Sequence, residues 1–272
     1  MRQETSSLTE AVDTCGYAVR FENVHFSYSP EKRAVLTGFD LGMEEQSVTV
    51  VLGANGVGKT TMLHLALGWL APQEGEVLVG DRPVHGLNQK ERGRLMSLVP
   101  QKEHLPFDYS LLEYVLLGRT PYLKPLEQPG PGDIDIAADA LVQVGLDPRD
   151  TRPIPSLSGG ERQLLLIARS LAQQPKILLL DEPTSHLDLK NKRTVVELIN
   201  RLVDENGLSA IVTTHEPEVA LALGRYGVLM RDGRVLFSGT TEEVFTSELL
   251  SKTYDAAVTV TDIEGKRVVR WL

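Results

Sequence analysis

The chain alternates short apolar runs with longer amphipathic stretches from Tyr17 onward. In the first run, Tyr17 to Tyr28, apolar and polar residues alternate, which is typical of a strand with one buried face. The run from Lys176 to Leu180 is continuously apolar, as in parallel strands buried on both faces. Short runs of these kinds predict further strands at Leu36 to Met43, Ser47 to Leu52, Glu76 to Val79, Leu95 to Val99, Lys176 to Leu180 and Ala210 to Thr213.

Between these strands, apolar residues recur at helical spacing. Ser110 with Glu113 three residues later fits the capping box of a helix start, and Gly145 is a typical helix stop. The pattern predicts helices from near Lys59 through Met62 to Leu70, and at Leu87 to Arg94, Ser110 to Arg119, about Asp133 to Val144, Leu164 to Ala172 and Leu189 to Asn206.

The order of these elements predicts an α/β fold. We expect a mostly parallel sheet, an antiparallel β part near the N-terminus, and an inserted helical subdomain over about residues 102–157. The main domain would span residues 17–240, between a mobile polar tail of residues 1–16 and a C-terminal extension of residues 241–272. Near the end of the chain the pattern predicts a hairpin of Tyr226 to Arg231 and Val235 to Ser238, a capping box at Thr240 to Glu243, and strands at Ala257 to Thr261 and Arg267 to Trp271.

Composition places the chain among globular proteins and narrows its partners. Of 272 residues, 42% are hydrophobic and 24% are charged, and the net charge is -9. Nonspecific nucleic-acid binding needs a basic face, so we expect no nucleic-acid partner. The longest apolar runs fall far short of the roughly 20 residues that span a bilayer. Met1 to Thr14 lacks the features of a secretory signal, and Cys15 is the only cysteine, which favours the reducing cytosol.

The stretch Gly53 to Thr61 carries the most specific chemical pattern. It lies between the predicted strand Ser47 to Leu52 and a predicted helix, and its spacing G-x-x-x-x-G-K-T fits a phosphate-binding loop. Glycines let consecutive backbone N–H groups surround phosphate oxygens, and the helix adds its positive dipole end. A chance Gly-rich turn is a poor alternative in this context. The candidate nucleotide-binding residues here are Gly53, Asn55, Gly56, Gly58, Lys59, Thr60 and Thr61.

Three residues around this loop have distinct expected roles toward ATP and Mg²⁺. Lys59 would reach the β- and γ-phosphates, and the Thr60 hydroxyl would ligate the magnesium ion. Tyr28 would stack on adenine, or it would only cover a sheet edge, and its run does not decide between the two.

Further candidates follow predicted strands, whose carboxyl ends form the site edge of a parallel sheet. Asp181 would hold Mg²⁺, and Glu182 would orient or deprotonate the attacking water. Gln101 would hold Mg²⁺ or that water, and His215 would sense the γ-phosphate. Taken alone, a glutamine such as Gln101 is more often a surface residue, and a histidine such as His215 is more often structural than catalytic.

A second anion-binding end is predicted at Ser158, Gly159 and Gly160, which begin the run before the helix Leu164 to Ala172. Exposed N–H groups and the helix dipole favour an anion there. These residue types alone favour the alternative, an ordinary serine-capped helix after a flexible turn.

Together these motifs resemble the ATP-binding subunit of an ABC transporter from about Tyr17 to Gly239. The phosphate loop, Gln101, the stretch Leu157 to Gln163, Ile177 to Glu182, Ser185 to Asp188 and His215 occur in that family's order. The run Pro106 to Arg119, with Pro121-Tyr122 and Thr184 to Asp188, is similar to the subunits that drive importers of iron-siderophore, haem or cobalamin type.

The resemblance implies a phosphate-loop NTPase core, RecA-like, and a head-to-tail dimer in which ATP joins two copies. Ser158 and Gly160 of one copy would face the nucleotide held by Lys59 and Thr60 of the other. Asp188 would report one site to the other across the interface. Gln101 would link the site to the helical subdomain.

The same resemblance implies an ATPase at the cytoplasmic face of the membrane. A transmembrane permease would dock near residues 102–122, and a substrate-binding protein would act indirectly. One alternative is a soluble ABC protein acting on nucleic acid or ribosomes, which the acidic charge and single cassette of this chain disfavour. The other is an exporter cassette. All chemical positions are filled, which favours hydrolysis over a degenerate regulatory cassette.

Overall fold

The computed structural model of the protein describes residues 16–29, 31, 33–103 and 109–271. Most of the predicted tail, including Cys15, lies outside these ranges, as do residues 106–108 of the run that ends at Arg119.

Twelve strands are present in the described ranges. They are β1 (Tyr17–Phe26), β2 (Leu36–Glu44), β3 (Val48–Leu52), β4 (Glu74–Val79), β5 (Arg82–Pro83), β6 (Met96–Val99), β7 (Ile177–Asp181), β8 (Ser209–Thr214), β9 (Tyr226–Arg231), β10 (Arg234–Thr240), β11 (Val258–Ile263) and β12 (Lys266–Trp271). They form three sheets: the first has the antiparallel order β2-β1-β4-β5, the second has the order β10-β9-β3-β8-β7-β6, and the third is the antiparallel pair β11-β12. The second sheet is parallel except for β10, which runs antiparallel to β9. The predicted α/β fold with an antiparallel β part is confirmed.

Nine α-helices occur in the same ranges. They are α1 (Lys59–Ala66), α2 (Gln89–Leu95), α3 (Leu111–Leu116), α4 (Pro131–Gln143), α5 (Gly159–Ala172), α6 (Leu189–Asn206), α7 (Pro217–Leu223), α8 (Thr241–Val244) and α9 (Ser247–Tyr254). Over the part of the chain that the structure describes, no helix combines the length and the apolar character needed to cross a membrane.

The parallel sheet is buried on both faces, which explains its continuously apolar strands. In β3, Val50 packs in a core that includes residues of α3 to α7, whereas the next residue, Val51, packs with β1, β2 and α1. Leu178 and Leu179 of β7 divide between the same two cores. The phosphate loop therefore leaves a strand that is fixed by packing on each side.

Helix bounds differ from the sequence expectation in the helical subdomain. The predicted helix over Ser110 to Arg119 ends as an α-helix at Leu116 and continues as a 3₁₀ helix, Leu117–Tyr122. At Gly118 this segment approaches α5 so closely that a Cβ would lie 2.2 Å from the Arg169 carbonyl oxygen. Close contact with α5 thus overrides the α-helical continuation.

The helix predicted to begin at Leu164 begins instead at Gly159, directly after Ser158. The sequence pattern also missed α7 and α9, which lie in the last third of the chain. In α7, proline at the first helical position was an available start signal.

Candidate functional site

The loop from Gly53 to Gly58 joins β3 to α1 through two positions that exclude a side chain. Gly58 has a left-handed φ of 112°, which L-residues rarely adopt. A Cβ there would lie 2.9 Å from the Leu36 side chain, and one at Gly53 would lie 2.7 Å from the Met230 carbonyl oxygen. These glycines therefore let the loop turn tightly between β2 and β9 and present α1 by its N-terminus.

Lys59 turns its side chain back into the loop. Its Nζ donates to the carbonyl oxygen of Gly53 at 2.8 Å and to that of Ala54 at 3.3 Å, and it lies 3.3 Å from Glu182 Oε1. The side chain is only 5% exposed. Burial lowers the pKa of Lys59, and the neighbouring Glu182 carboxylate opposes that shift. The ammonium group is thus held largely out of bulk solvent at the point where the loop opens.

Asp181 is a buried carboxylate at the end of β7 with two hydroxyl partners. Thr60 Oγ1 donates to its Oδ2 at 2.7 Å, and Thr213 Oγ1 donates to its Oδ1 at 2.6 Å. Carboxylate and hydroxyl oxygens are suitable ligands for Mg²⁺. This ion is usually held by one or two carboxylates together with substrate phosphates. No cluster of three or more His, Cys, Asp or Glu side chains fit for a metal occurs among the described residues. The Asp181 carboxylate and the Thr60 hydroxyl fit a magnesium ion that shares its coordination with a nucleotide.

Glu182 follows Asp181, and its carboxylate contacts three polar side chains. Its Oε2 lies 3.0 Å from His215 Nδ1 and accepts from Gln101 Nε2 at 3.1 Å, while Oε1 faces Lys59. Because a carboxylate only accepts, His215 Nδ1 carries the hydrogen in this contact. Glu182 has a positive φ of 47°, a strained conformation for a non-glycine residue. Strain of this kind persists where the surrounding structure holds the residue in place.

Tyr28 stands at the rim of this region. Its hydroxyl lies 3.1 Å from Thr61 Oγ1, and its ring packs edge-on against Phe26 with centroids 5.0 Å apart. The side chain remains 57% exposed. One edge of the ring is therefore fixed while its outer face is open to a ligand.

A cleft of about 910 Å³ connects these groups. The predicted residues that line it are Tyr28, Asn55, Gly56, Gly58, Lys59, Thr60, Thr61, Gln101, Glu182 and His215. Gly53 and Asp181 do not line it but bind Lys59 and Thr60, which do. Sequence reasoning missed Lys192, Glu216 and Trp271, which also line the cleft. No local pattern marks Lys192 or Trp271, which lie far along the chain from the predicted motifs, whereas Glu216 directly follows the predicted His215.

The other four predicted residues, Ser158, Gly159, Gly160 and Asp188, form a second group away from the cleft lining. Ser158 caps α5 and Asp188 caps α6. Asp188 accepts from the Asn191 side chain at 3.1 Å, and a Cβ on Gly160 would lie 2.4 Å from the same side chain. Two helix N-termini therefore meet at one surface. We call this surface, defined by those four residues, the α5–α6 cap surface.

The N–H group and the hydroxyl of Ser158 already have a hydrogen-bond partner within the single chain. Its Oγ donates to Glu161 Oε2 at 2.8 Å, and the Ser158 N–H donates to the same oxygen at 2.9 Å. Arg152 binds the other Glu161 oxygen at 2.6 Å. Arg152, followed by the Ser158 N–H and hydroxyl, lowers the pKa of Glu161 to about 2.

Acid should therefore weaken the α5–α6 cap surface. A carboxyl group whose pKa is lower in the folded chain stabilises the fold fully above its unfolded pKa of 4.5, and loses that contribution as the pH falls toward about 2. We expect the wild-type free energy of unfolding to fall more steeply over this interval than that of Glu161→Gln. Denaturant titrations at a series of pH values measure the two slopes, and parallel curves would contradict the assignment.

The fold and the cleft define a phosphate-loop nucleotide-binding protein of the α/β class, and comparison with known proteins identifies its family. The family model described as ABC transporter matches residues 36–185. A Helicobacter pylori protein named "Probable iron chelatin transport ATP-binding protein" is 33% identical over 249 residues, covering 91% of this chain and 97% of the relative. The chain belongs to the ABC transporter ATP-binding family, and it is an ATPase of the ABC type.

Solved structures agree with this assignment. An inward-facing structure assigned to the metal-chelate type of ABC transporter matches with a TM-score of 0.81 and 31% identity, over 94% of this chain and 97% of the other. The ATP-binding cassette MJ0796, solved as a dimer in a post-hydrolysis state with ADP and Pi, matches with a TM-score of 0.73 and 28% identity, over 82% of this chain and 98% of the other. The resemblance seen in the sequence motifs is thus confirmed at the level of the family and the fold.

Proposed function

We propose that the chain is the ATP-hydrolysing subunit of an importer and that it works as a head-to-tail pair. The observation that carries this proposal is the division of the candidate site into two separate groups. The cleft holds Lys59, Thr60 and Glu182. Ser158 and Gly160 lie instead on the α5–α6 cap surface, which presents two helix N-termini. The described part of the chain therefore has two surfaces suited to phosphate, one inside the cleft and one outside it.

Within the cleft, the residues divide the work of phosphoryl transfer to water. Lys59 binds the β- and γ-phosphates through its ammonium group, and the loop glycines present backbone N–H groups to them. Thr60 and Asp181, with Gln101, hold Mg²⁺, which when bound neutralises charge on the phosphate oxygens. Tyr28 stacks on the adenine ring.

Glu182 accepts the proton of the attacking water. Its contacts with His215 Nδ1 and Gln101 Nε2 orient the carboxylate. His215 contacts the γ-phosphate, so the residue that orients the base also senses the phosphoryl group that is transferred to water.

In the pair, the α5–α6 cap surface of one copy closes over the nucleotide in the cleft of the other. Ser158 and Gly160 face the γ-phosphate, to which the first turn of α5 presents its positive dipole end, and Asp188 links the two sites. The dimeric state of the cassette bound to ADP and Pi supports this arrangement for a chain of the same fold.

The cargo is an iron chelate, haem or cobalamin, imported through separate permease subunits that meet the chain at the cytoplasmic face of the membrane. The named function of the Helicobacter pylori relative and the metal-chelate type of the matched transporter support this class. Transport assays of the assembled complex with a panel of chelates test the cargo. Co-purification with exporter subunits or ribosomes would instead support an alternative role.

The head-to-tail pair is tested by oligomeric mass. Glu182→Gln slows hydrolysis, so with Mg-ATP it should convert from monomer to dimer. Adding Ser158→Arg should abolish the conversion by placing a bulky cation where the γ-phosphate must sit. Asn206→Arg, at the opposite end of α6 from Asp188, is the matched control and should leave dimerisation intact. A mass that never responds to Mg-ATP, although nucleotide binds, would refute the pair.

A further inference from the structure

The C-terminal extension contacts the His215 turn directly. Tyr254, the last residue of α9, donates its hydroxyl to the His215 backbone carbonyl oxygen at 3.1 Å. His215 is the first residue after β8 and the one whose ring contacts Glu182. A side chain from residues 241–271 thus holds the main chain of a residue in the candidate site.

The turn that carries His215 is short and held from several sides. Glu216 N donates to Thr214 Oγ1 at 3.0 Å, and Glu216 pairs with Lys192 of α6. α7 begins directly afterwards and packs against β12. Because the bond from Tyr254 reaches the carbonyl of His215 itself, it acts on the peptide group that joins His215 to Glu216.

Tyr254 suits this task because its hydroxyl stays protonated. Burial raises the pKa of Tyr254, and the carboxylates of Glu218 and Glu182 raise it further. A neutral phenol remains a hydrogen-bond donor throughout the physiological pH range.

The helix that presents Tyr254 is itself tied to the central sheet. Arg231, the last residue of β9, donates to the Lys252 carbonyl oxygen and pairs with Asp255 at 3.5 Å. Ser251 Oγ donates to the Val258 carbonyl oxygen at 3.1 Å, which fixes β11 against α9. β9 lies beside β3, the strand that leads into the phosphate loop. The Tyr254 hydroxyl is therefore held in place by the same sheet that carries the cleft.

We propose that Tyr254 is a positioning residue, which fixes the His215 main chain so that the imidazole stays aligned on Glu182. Through Tyr254, the C-terminal extension then takes part in hydrolysis by way of His215. This inference rests on the proposed function, in which His215 contacts the γ-phosphate and Glu182 accepts the proton of water.

Tyr254→Phe removes only the hydroxyl, and Thr241→Val is its matched control. Thr241 Oγ1 also joins the C-terminal extension to a backbone carbonyl, that of Gly224 at 2.6 Å, but at the far end of α7. We expect Tyr254→Phe to lower kcat roughly 3- to 10-fold, the size of one lost hydrogen bond, with the KM for ATP within about twofold. Thr241→Val should keep the wild-type kcat. Equal losses in both variants, or an unchanged kcat in Tyr254→Phe, would overturn the proposal.

A double-mutant cycle separates positioning from general destabilisation. If Tyr254 acts through His215, Tyr254→Phe should cost nothing further in a His215→Ala background. A full additional loss there would overturn the proposal.

NMR of ¹⁵N-histidine gives a readout that does not depend on turnover. Tyr254→Phe should shift the His215 ring signals, assigned with His215→Ala, and leave those of His25 and His64 in place. Unchanged His215 signals would refute the inference alone, whereas a wild-type chain that binds but never hydrolyses ATP would refute the proposed function.

Discussion

Substituting Glu182 with glutamine should lower kcat for ATP hydrolysis by roughly 10²-fold or more, with nucleotide affinity nearly unchanged. Glutamine has the size and shape of glutamate, so it can stay within reach of Lys59, His215 and Gln101. An amide cannot accept the proton of the attacking water, so the loss falls on the chemical step. Steady-state turnover and equilibrium nucleotide binding, measured on the same preparations, separate the two effects.

Glu218→Gln is the matched control for this substitution. Glu218 lines the same cleft from the first turn of α7, so the change removes an equal charge from the same region. If Glu182 acts as the base, Glu218→Gln should reduce kcat by less than about threefold, because a nearby charge acts only through a screened field. Similar losses in both variants would mean that the cleft needs negative charge in general. Glu182 could then no longer be assigned as the general base.

The candidate site could be predicted largely because its residues follow strands. Gln101, Asp181 and His215 come just after or at the ends of β6, β7 and β8, which are parallel neighbours in the sheet. In a parallel sheet those ends share one edge, so a correct strand assignment already brings the side chains together. The phosphate loop was equally accessible, since its glycines and Lys59 act within one short local segment.

Pairings that depend on register or on distant segments could not be predicted. Asp181 meets the Thr213 hydroxyl because β7 and β8 align these residues, a register that the apolar pattern does not specify. The contact of Lys59 with Glu182 depends on rotamers that packing selects. Tyr254 reaches His215 through α9, a helix that the sequence pattern missed.

The fold was predicted least well where tertiary contact competes with local preference. The helix predicted to run to Arg119 ends as an α-helix at Leu116, and the segment that follows tightens into a 3₁₀ helix. Arg119 is buried there, and it donates to Asp133 at 2.9 Å and to the Ala172 carbonyl oxygen at 2.8 Å. Satisfying a buried guanidinium outweighs the small preference for one more α-helical turn.

Substituting Lys59 with methionine should weaken nucleotide binding by about 10- to 150-fold, the cost of one hydrogen bond to a charged group. The Lys59 ammonium group contacts the Gly53 and Ala54 carbonyl oxygens and the Glu182 carboxylate, acceptors of the kind that phosphate oxygens provide. Methionine keeps the length and buried volume of the lysine stem, so the change removes charge and donors more than packing. Equilibrium titration with ATP and with ADP measures the effect.

Lys192→Met is the comparison that decides whether the loss belongs to one lysine or to the positive charge of the cleft. Lys192 also lines the cleft, but its Nζ pairs with Glu216 and lies outside the phosphate loop. If Lys59 binds phosphate directly, Lys192→Met should change affinity by less than about threefold, as expected for a screened charge. Equal losses would contradict a specific contact between Lys59 and phosphate.

Since Lys59 also faces Glu182, its substitution should lower kcat as well as affinity, whereas Glu182→Gln lowers kcat alone. This difference distinguishes the residue that binds phosphate from the one that accepts the proton.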